Sequence, residues 1–444
     1  MAGRRLLVLL FSLAVIAVPA GALRAACAGR SCQLEATPAR VPFCPLPEWM
    51  KTDVAAGYRE GRSPDVLAVA DRSSLSTRER AAPWPSVADG PTITHVPIVF
   101  WGRGADASAV VPSGTTLDAI APTIADAIGL RRRYPRVRSG HAVPGVAVTS
   151  PTDDERPRLV VEIALEGVGT RDVRAHPHAW RELTELMRTG AGTGSADTGS
   201  LPLDAAATMT TIGTGGLPDQ HGITGALIRG DNGTVVPPWS AHAPPSVIAT
   251  LGDDLDHATD DAARIGLVAT SATDRGLIGG TWYPNGDRDD VTILPRAGTA
   301  DVVGTVASVL SRGYGSDRAP DLLGVVLNGR PAEVDRELHE IVAEADQAAR
   351  GAAMVVVAGT GTTTATRGGI EDAVTQVEDD VPGDAPVVSG IAAGGLFLDQ
   401  RVMAREHISG QTVVDALFGA QATDGDPLFR DAFQGFAVSF ARYC

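Results

Sequence analysis

Few stretches of this chain combine residue types that could do chemistry. Asp335 and His339 stand four apart in EVDRELHEIVAEADQAARG (333–351). A carboxylate and an imidazole at that spacing share one helix face and can hold a divalent metal. The same run places Val334, Leu338, Ile341, Val342 and Ala345 on one side, so the pair reads first as a solvated helix face, with metal binding as the rival. GDDLDHATDD (252–261) is rich in carboxylates but lacks the Gly and Glu spacing of an EF-hand. It reads as a surface loop, with loose calcium binding as the rival. His176 and His178 flank Pro177 in a turn, and the glycine-rich GAGTGSADTGS (190–200) either cradles an anion or merely turns the chain. Other chemistries lack their residues. There is no Gly-x-Ser-x-Gly elbow for a serine hydrolase. No strand leads into a complete G-x-G-x-x-G with an acidic residue beyond it. Lys51 is the only lysine, which excludes a P-loop.

The elements that must position such residues are legible as apolar runs. DVLAVA (65–70), HVPIVFWG (95–102), LVVEIAL (159–165), RIGLVA (264–269), LLGVVL (322–327), MVVVAG (354–359) and GLFLD (395–399) read as buried strands. Helical patterns lie between some of them: 115–130 with a stop at Gly129, 301–313, and 333–351 with a stop at Gly351. Strands alternating with helices, and strands apolar on both faces, predict a three-layer αβα sandwich around a largely parallel sheet. SPTDDERP (150–157), GTGSADTGS (192–200) and GDRDD (286–290) read as loops.

The chain has 444 residues and a net charge of −15, which argues against nucleic acid or an anionic membrane held by bulk charge. Arg4 and Arg5 precede an apolar run that ends in Ala20-Gly21-Ala22, the pattern of a secretory signal peptide (1–22) cut after Ala22. No other stretch is apolar enough to span a bilayer, so the expectation is a secreted or cell-envelope protein with no stable membrane span. In an exported chain four cysteines suggest two disulfides. Cys27 and Cys32 can close a small loop, which leaves Cys44 for Cys444; other pairings and a zinc site stay open.

DAAATMTTIGTGGLPDQHGITG (204–225) resembles the alkaline phosphatase superfamily, especially its phosphodiesterase/nucleotide pyrophosphatase branch. There a nucleophile-bearing helix runs into a T-G-x-x-P-x-x-H-G-I turn. LVVEIALEGVG (159–169) resembles that family's opening strand, and MVVVAGTG (354–361) its later strand ending in Ser-Asp-His-Gly. GYREGRSPDVLAVA (57–70), THVPIVFWGRG (94–104) and LDAIAPTIADAIGL (117–130) resemble the end of the same fold, yet here they come first. The chain therefore reads as a circular permutation. A Cys-containing lead (23–45) precedes a C-terminal-like segment (46–149), a linker (150–158), and an N-terminal and middle segment (159–444).

The resemblance implies a hydroxyl nucleophile and two zinc ions held by aspartates and histidines at strand ends. Carried over residue by residue, most are missing. The first ligand position holds Glu166 rather than Asp. The nucleophile position falls on Ala205, beside Asp204; Thr208 and Thr210 lie about a helical turn along, and Ser200 is reachable only with a gap. The Asp-His pair is replaced by Gly359 and Thr360. Asn328-Gly329-Arg330 stands where an Asp-x-x-x-His pair should begin, and PWPSVADGPTI (83–93) lacks the last His. His95 and His221 fall at positions that bind no metal in the family and read as hydrogen-bonded loop residues. The expectation is a degenerate family member without two-zinc phosphate hydrolysis and with no cofactor. Its partner would be a phosphate-bearing small molecule or a cell-envelope component. The rival is an active phosphodiesterase or phosphatase built on Glu166, Asp204, Asp335 and His339 with zinc or another divalent metal.

Overall fold

The apolar runs become strands because each is long enough to cross a sheet and apolar on both faces. The computed structural model describes residues 41–444 except 73–74, 77–82, 149, 281, 284–288, 296–300 and 363–368. The signal peptide and the Cys27–Cys32 pairing fall outside the described residues. Residues from Pro42 to Cys444 form one unit. In chain order the strands are β1 (Val66–Ala70), β2 (His95–Gly102), β3 (Leu159–Leu165), β4 (Ala191–Asp197), β5 (Ile228–Arg229), β6 (Val235–Val236), β7 (Ile265–Ala269), β8 (Asp290–Ile293), β9 (Asp321–Leu327), β10 (Ala353–Gly359), β11 (Val388–Ala392), β12 (Gly395–Leu398) and β13 (Phe429–Gln434).

The central sheet runs in the order β4-β2-β10-β3-β9-β7-β8. The five strands from β10 to β8 are parallel, whereas β2 and β4 close one edge antiparallel. Helices Ile120–Ile128, Ala205–Thr214 and Leu251–Thr259 cover the first face. Helices Arg181–Thr189, Val302–Leu310 and Pro331–Ala348 cover the second. This is the expected three-layer α/β arrangement. β3, β9 and β10 are buried along their whole length. Each Val, Leu or Ile fully buried there contributes roughly 1.5–3 kcal/mol.

DVLAVA and GLFLD form strands, but not in the parallel sheet. They are β1 and β12 of a separate antiparallel sheet ordered β11-β12-β1-β13, covered by helices Ile370–Asp380 and Gly410–Gly419. β1 therefore pairs with strands more than 300 residues later in the chain, Val66 lying opposite both Leu396 and Gln434. The Cys44–Cys444 disulfide joins the same two regions, with Cα atoms 5.1 Å apart. Residues 150–158 carry no helix or strand.

Three local expectations need correction. GTGSADTGS is not a loop, since residues 191–197 form the edge strand β4 against β2. Gly192 serves close approach: a Cβ there would lie 3.2 Å from the Ile98 carbonyl oxygen. GDDLDHATDD is not a surface loop either. Leu251–Thr259 is helical, capped by the Thr250 hydroxyl, and Asp253 and Asp254 are buried. Asp335 is buried rather than solvated. Among the described residues, no helix is long and apolar enough to cross a membrane.

Candidate functional site

Parallel α/β sheets place their functional groups at the C-terminal strand ends, and four side chains meet there. Glu166 follows β3, and its N–H donates to the Leu327 carbonyl at 2.8 Å. Asn328 follows β9. Its amide Nδ2 donates to Glu166 Oε2 at 3.0 Å and to the Thr270 hydroxyl, just past β7, at 2.8 Å. Thr360 follows β10, and its hydroxyl accepts the Gly167 N–H at 2.9 Å. These four bring one carboxylate, one amide and two hydroxyls to the strand ends. Gly359 has a steric reason: a Cβ would lie 2.3 Å from the Val168 carbonyl oxygen, so the loop after β3 occupies the space a side chain would need.

This set does not fit two zinc ions. Such a site takes several deprotonated Asp and neutral His ligands, and an amide or hydroxyl substitutes poorly for them. Among the described residues, no three His, Cys, Asp or Glu side chains gather to hold a metal. These residues support no catalytic step through zinc.

The remaining candidates scatter over both faces of the sheet. Asp204 caps helix Ala205–Thr214: Oδ1 accepts the Ala206 N–H at 2.9 Å and Oδ2 the Ala226 N–H at 3.0 Å. Ala205 is the first residue of that helix, and Ser200 and Thr208 are buried. The Thr210 hydroxyl donates to the Ala206 carbonyl at 2.8 Å. On the opposite face Asp335 accepts the N–H groups of Arg181, Glu182 and Leu183 at 2.8–3.0 Å. His339 is exposed and pairs through Nδ1 with Glu182 Oε2 at 2.8 Å.

The two motif histidines differ. His95 is the first residue of β2, its Nε2 4.0 Å from Asp197 Oδ2. His221 is fully buried at the end of the short helix Pro218–His221. Its Nδ1 accepts the Ile223 N–H at 3.1 Å, so Nε2 carries the proton and donates to the Thr211 hydroxyl at 3.1 Å. Burial, with the Arg59 charge nearby, pushes this imidazole down to about 3. It is a neutral structural group joining the helix to the turn that follows.

Several ionisable groups carry little signal in the sequence. Asp53 is pushed up to about 7 by burial and by Asp197 beside it. Glu162, in the middle of β3, is fully buried, and neither carboxyl oxygen has a partner among the described residues. Burial pushes it up to about 8 against the pull of Arg132, so it is mostly protonated at pH 7. The only sequence signal was a lone Glu inside the apolar run LVVEIAL.

Among solved structures the chain is similar to wild-type alkaline phosphatase PafA, with 14% identity and a TM-score of 0.43, covering 59% of this chain and 76% of that one. It is also similar to a quadruple mutant of PafA, with 13% identity, a TM-score of 0.41 and the same coverage. No family model matches the chain, and neither does any curated protein.

Proposed function

We propose that this chain is a phosphatase-like scaffold without two-zinc hydrolysis, exported and retained as a binding or envelope-associated protein. The observation that carries the reading is the crown at the strand ends. Where the resembling motifs call for metal-binding aspartates and histidines, Glu166 is hydrogen-bonded by Asn328, and Gly359 and Thr360 supply no ligand. Asp204 and Asp335 spend carboxylate oxygens on backbone amides, which weighs against the rival hydrolase built on Glu166, Asp204, Asp335 and His339. We also read the chain order as a circular permutation of the phosphatase fold. The pairing of β1 with β12 and β13, and the Cys44–Cys444 bridge, support it. The partner would be a phosphate-bearing small molecule or a component of the cell envelope.

The test is metal content after exposure to zinc and desalting, together with hydrolysis of bis-p-nitrophenyl phosphate. Background metal and no zinc-dependent hydrolysis are expected. About two bound zinc ions per chain with zinc-dependent turnover would overturn the reading.

A further inference from the structure

The loop RRRYPRVR (131–138) follows the first-face helix Ile120–Ile128, and its arginines divide by role. Arg132 and Arg138 turn inward onto the buried Asp254, at 2.8 and 3.2 Å. Both also donate to the Thr214 carbonyl, at 2.9 and 3.0 Å, covering the C-terminal end of helix Ala205–Thr214. Nη1 of Arg138 donates back into its own loop, to the carbonyls of Arg133 at 2.7 Å and Tyr134 at 3.1 Å. Burial and the neighbouring Arg132 push Arg138 down only to about 10, so it stays charged at neutral pH.

This anchoring presents the rest of the loop in a fixed shape. Arg131, Arg133 and Arg136 are exposed, and none has a carboxylate partner among the described residues. In a chain of net charge −15 such a group is unusual. Tyr134 sits at φ 51°, a region bulky residues avoid, with 72% of its surface exposed. Beside it lies a cavity of about 420 Å³ lined by Tyr134, Val137, Val247, Ile248, Trp282 and Tyr283. That volume and lining suit a small organic ligand. Arg59 is also in the wall. Its Nη1 donates to the Asp219 and Gln220 carbonyls at 2.5 and 3.2 Å, and its other guanidinium N–H groups have no acceptor among the described residues. The acidic groups at the cavity are Asp254, neutralised by its two arginines, and Asp219, which faces Arg59.

We propose that this cavity binds a small organic anion, with an apolar or aromatic body between Tyr134, Val137, Ile248 and Trp282. Its phosphate, sulfate or carboxylate group lies toward Arg59 and the arginine loop. The site adjoins the C-terminal end of helix Ala205–Thr214, whereas Asp204 caps the opposite end. It uses none of the strand-end crown residues and does not rest on the function proposed above.

The test uses the full chain and two dyes sharing an aryl-naphthylamine skeleton, 1-anilinonaphthalene-8-sulfonate and the uncharged N-phenyl-1-naphthylamine. The sulfonate is expected to bind saturably at one site, to weaken as salt rises, and to bind about tenfold tighter than the uncharged dye. The Arg131→Gln/Arg133→Gln/Arg136→Gln variant is expected to weaken sulfonate binding about tenfold, leave the uncharged dye unaffected, and keep the thermal midpoint, because these side chains are exposed. Absence of saturable sulfonate binding would overturn the proposal. So would equal binding of the two dyes, or a variant that binds the sulfonate as well as the parent chain. Binding to anionic phosphatidylglycerol vesicles without saturable dye binding would overturn it too, by making the loop a membrane-docking surface.

Discussion

At the scale of single residues, two buried ionisable groups make opposite demands on pH. Glu162 faces the first-face core from the middle of β3, opposite Val356 and Gly324. Its folded pKa of about 8 lies above the ordinary 4.5, so the folded chain binds this proton more tightly than the unfolded chain does. The stability Glu162 contributes is complete below 4.5 and is lost as pH rises through about 8. His221 is the reverse: its folded value of about 3 lies below 6.5, so its contribution is complete above 6.5 and is lost as pH falls through about 3. Replacing Glu162 with Met removes a carboxyl without hydrogen-bond partners among the described residues and leaves an apolar side chain of similar length. Glu162→Met is therefore expected to be more stable than the parent at pH 8 by roughly 1–3 kcal/mol. The gain shrinks toward pH 4. Chemical denaturation at both pH values measures it. A variant equally destabilised at both would mean that Glu162 has a buried partner.

At the scale of elements, the informative contacts are caps supplied from a distance. Helix Arg181–Thr189 begins after Trp180, which gives no side-chain cap, and Asp335 from helix Pro331–Ala348 takes three of its free N–H groups instead. Asp335→Ala leaves those amides partly buried and unpaired, at an expected cost of about 2–3 kcal/mol. Hydrogen exchange should quicken first in 181–189, and Asp335→Asn should recover part of the loss through its single acceptor oxygen. Unchanged protection in 181–189 would show that the cap does not hold this helix. The same contact shows where reading from sequence stops. β3, β7, β9 and β10 are legible because both of their faces are covered, so nearly every residue is apolar. The i,i+4 spacing of Asp335 and His339 is legible too, but Asp335 is buried by a helix some 150 residues away, which local spacing does not encode. β4 escapes such a reading because its glycines argue against a strand, although Gly192 lets it pack closely against β2. Asp254 reads as part of a solvated loop because Arg132 and Arg138 reach it from more than 100 residues away. In the site, the residue types at 205, where the resemblance expects a nucleophile, and at 328, 359 and 360, where it expects metal ligands, are legible from identity alone. The Asn328–Glu166–Thr270 bonding and the arginine-anchored cavity depend on tertiary contacts.

At the scale of the whole molecule, the second sheet brings the regions around residues 43 and 444 together without help from the disulfide. The Phe43 N–H donates to Asp431 Oδ2 at 2.6 Å, the Phe43 and Phe433 rings lie 5.0 Å apart, and the Gly435 N–H donates to the Asp65 carbonyl at 2.8 Å. The bridge closes a loop of 400 residues, so its main effect falls on the unfolded chain. Chain entropy alone assigns such a loop up to ~6 kcal/mol, and disulfides typically deliver about 2–4. Cys44→Ser/Cys444→Ser is therefore expected to lower stability by about 2–4 kcal/mol while keeping the hydrogen-exchange pattern of β1, β12 and β13. Its denaturant slope should rise, because the uncrosslinked unfolded chain exposes more surface. The two Cα atoms are 5.1 Å apart, close to the ~3.8 Å between consecutive residues. A short peptide can therefore replace the bridge. A chain that begins at residue 159, runs to 444, continues through a short Gly-Ser linker into 43, and ends at 149 tests the permuted reading directly. It lacks residues 1–42 and the stretch 150–158, which carries no helix or strand. It is expected to fold cooperatively without a disulfide, at a stability near that of the serine variant, because the opening at 150–158 leaves a linear chain without the loop that the bridge closes. If that chain fails to fold while the serine variant folds, 150–158 is part of the folded core rather than a join between old ends, and the permuted reading falls.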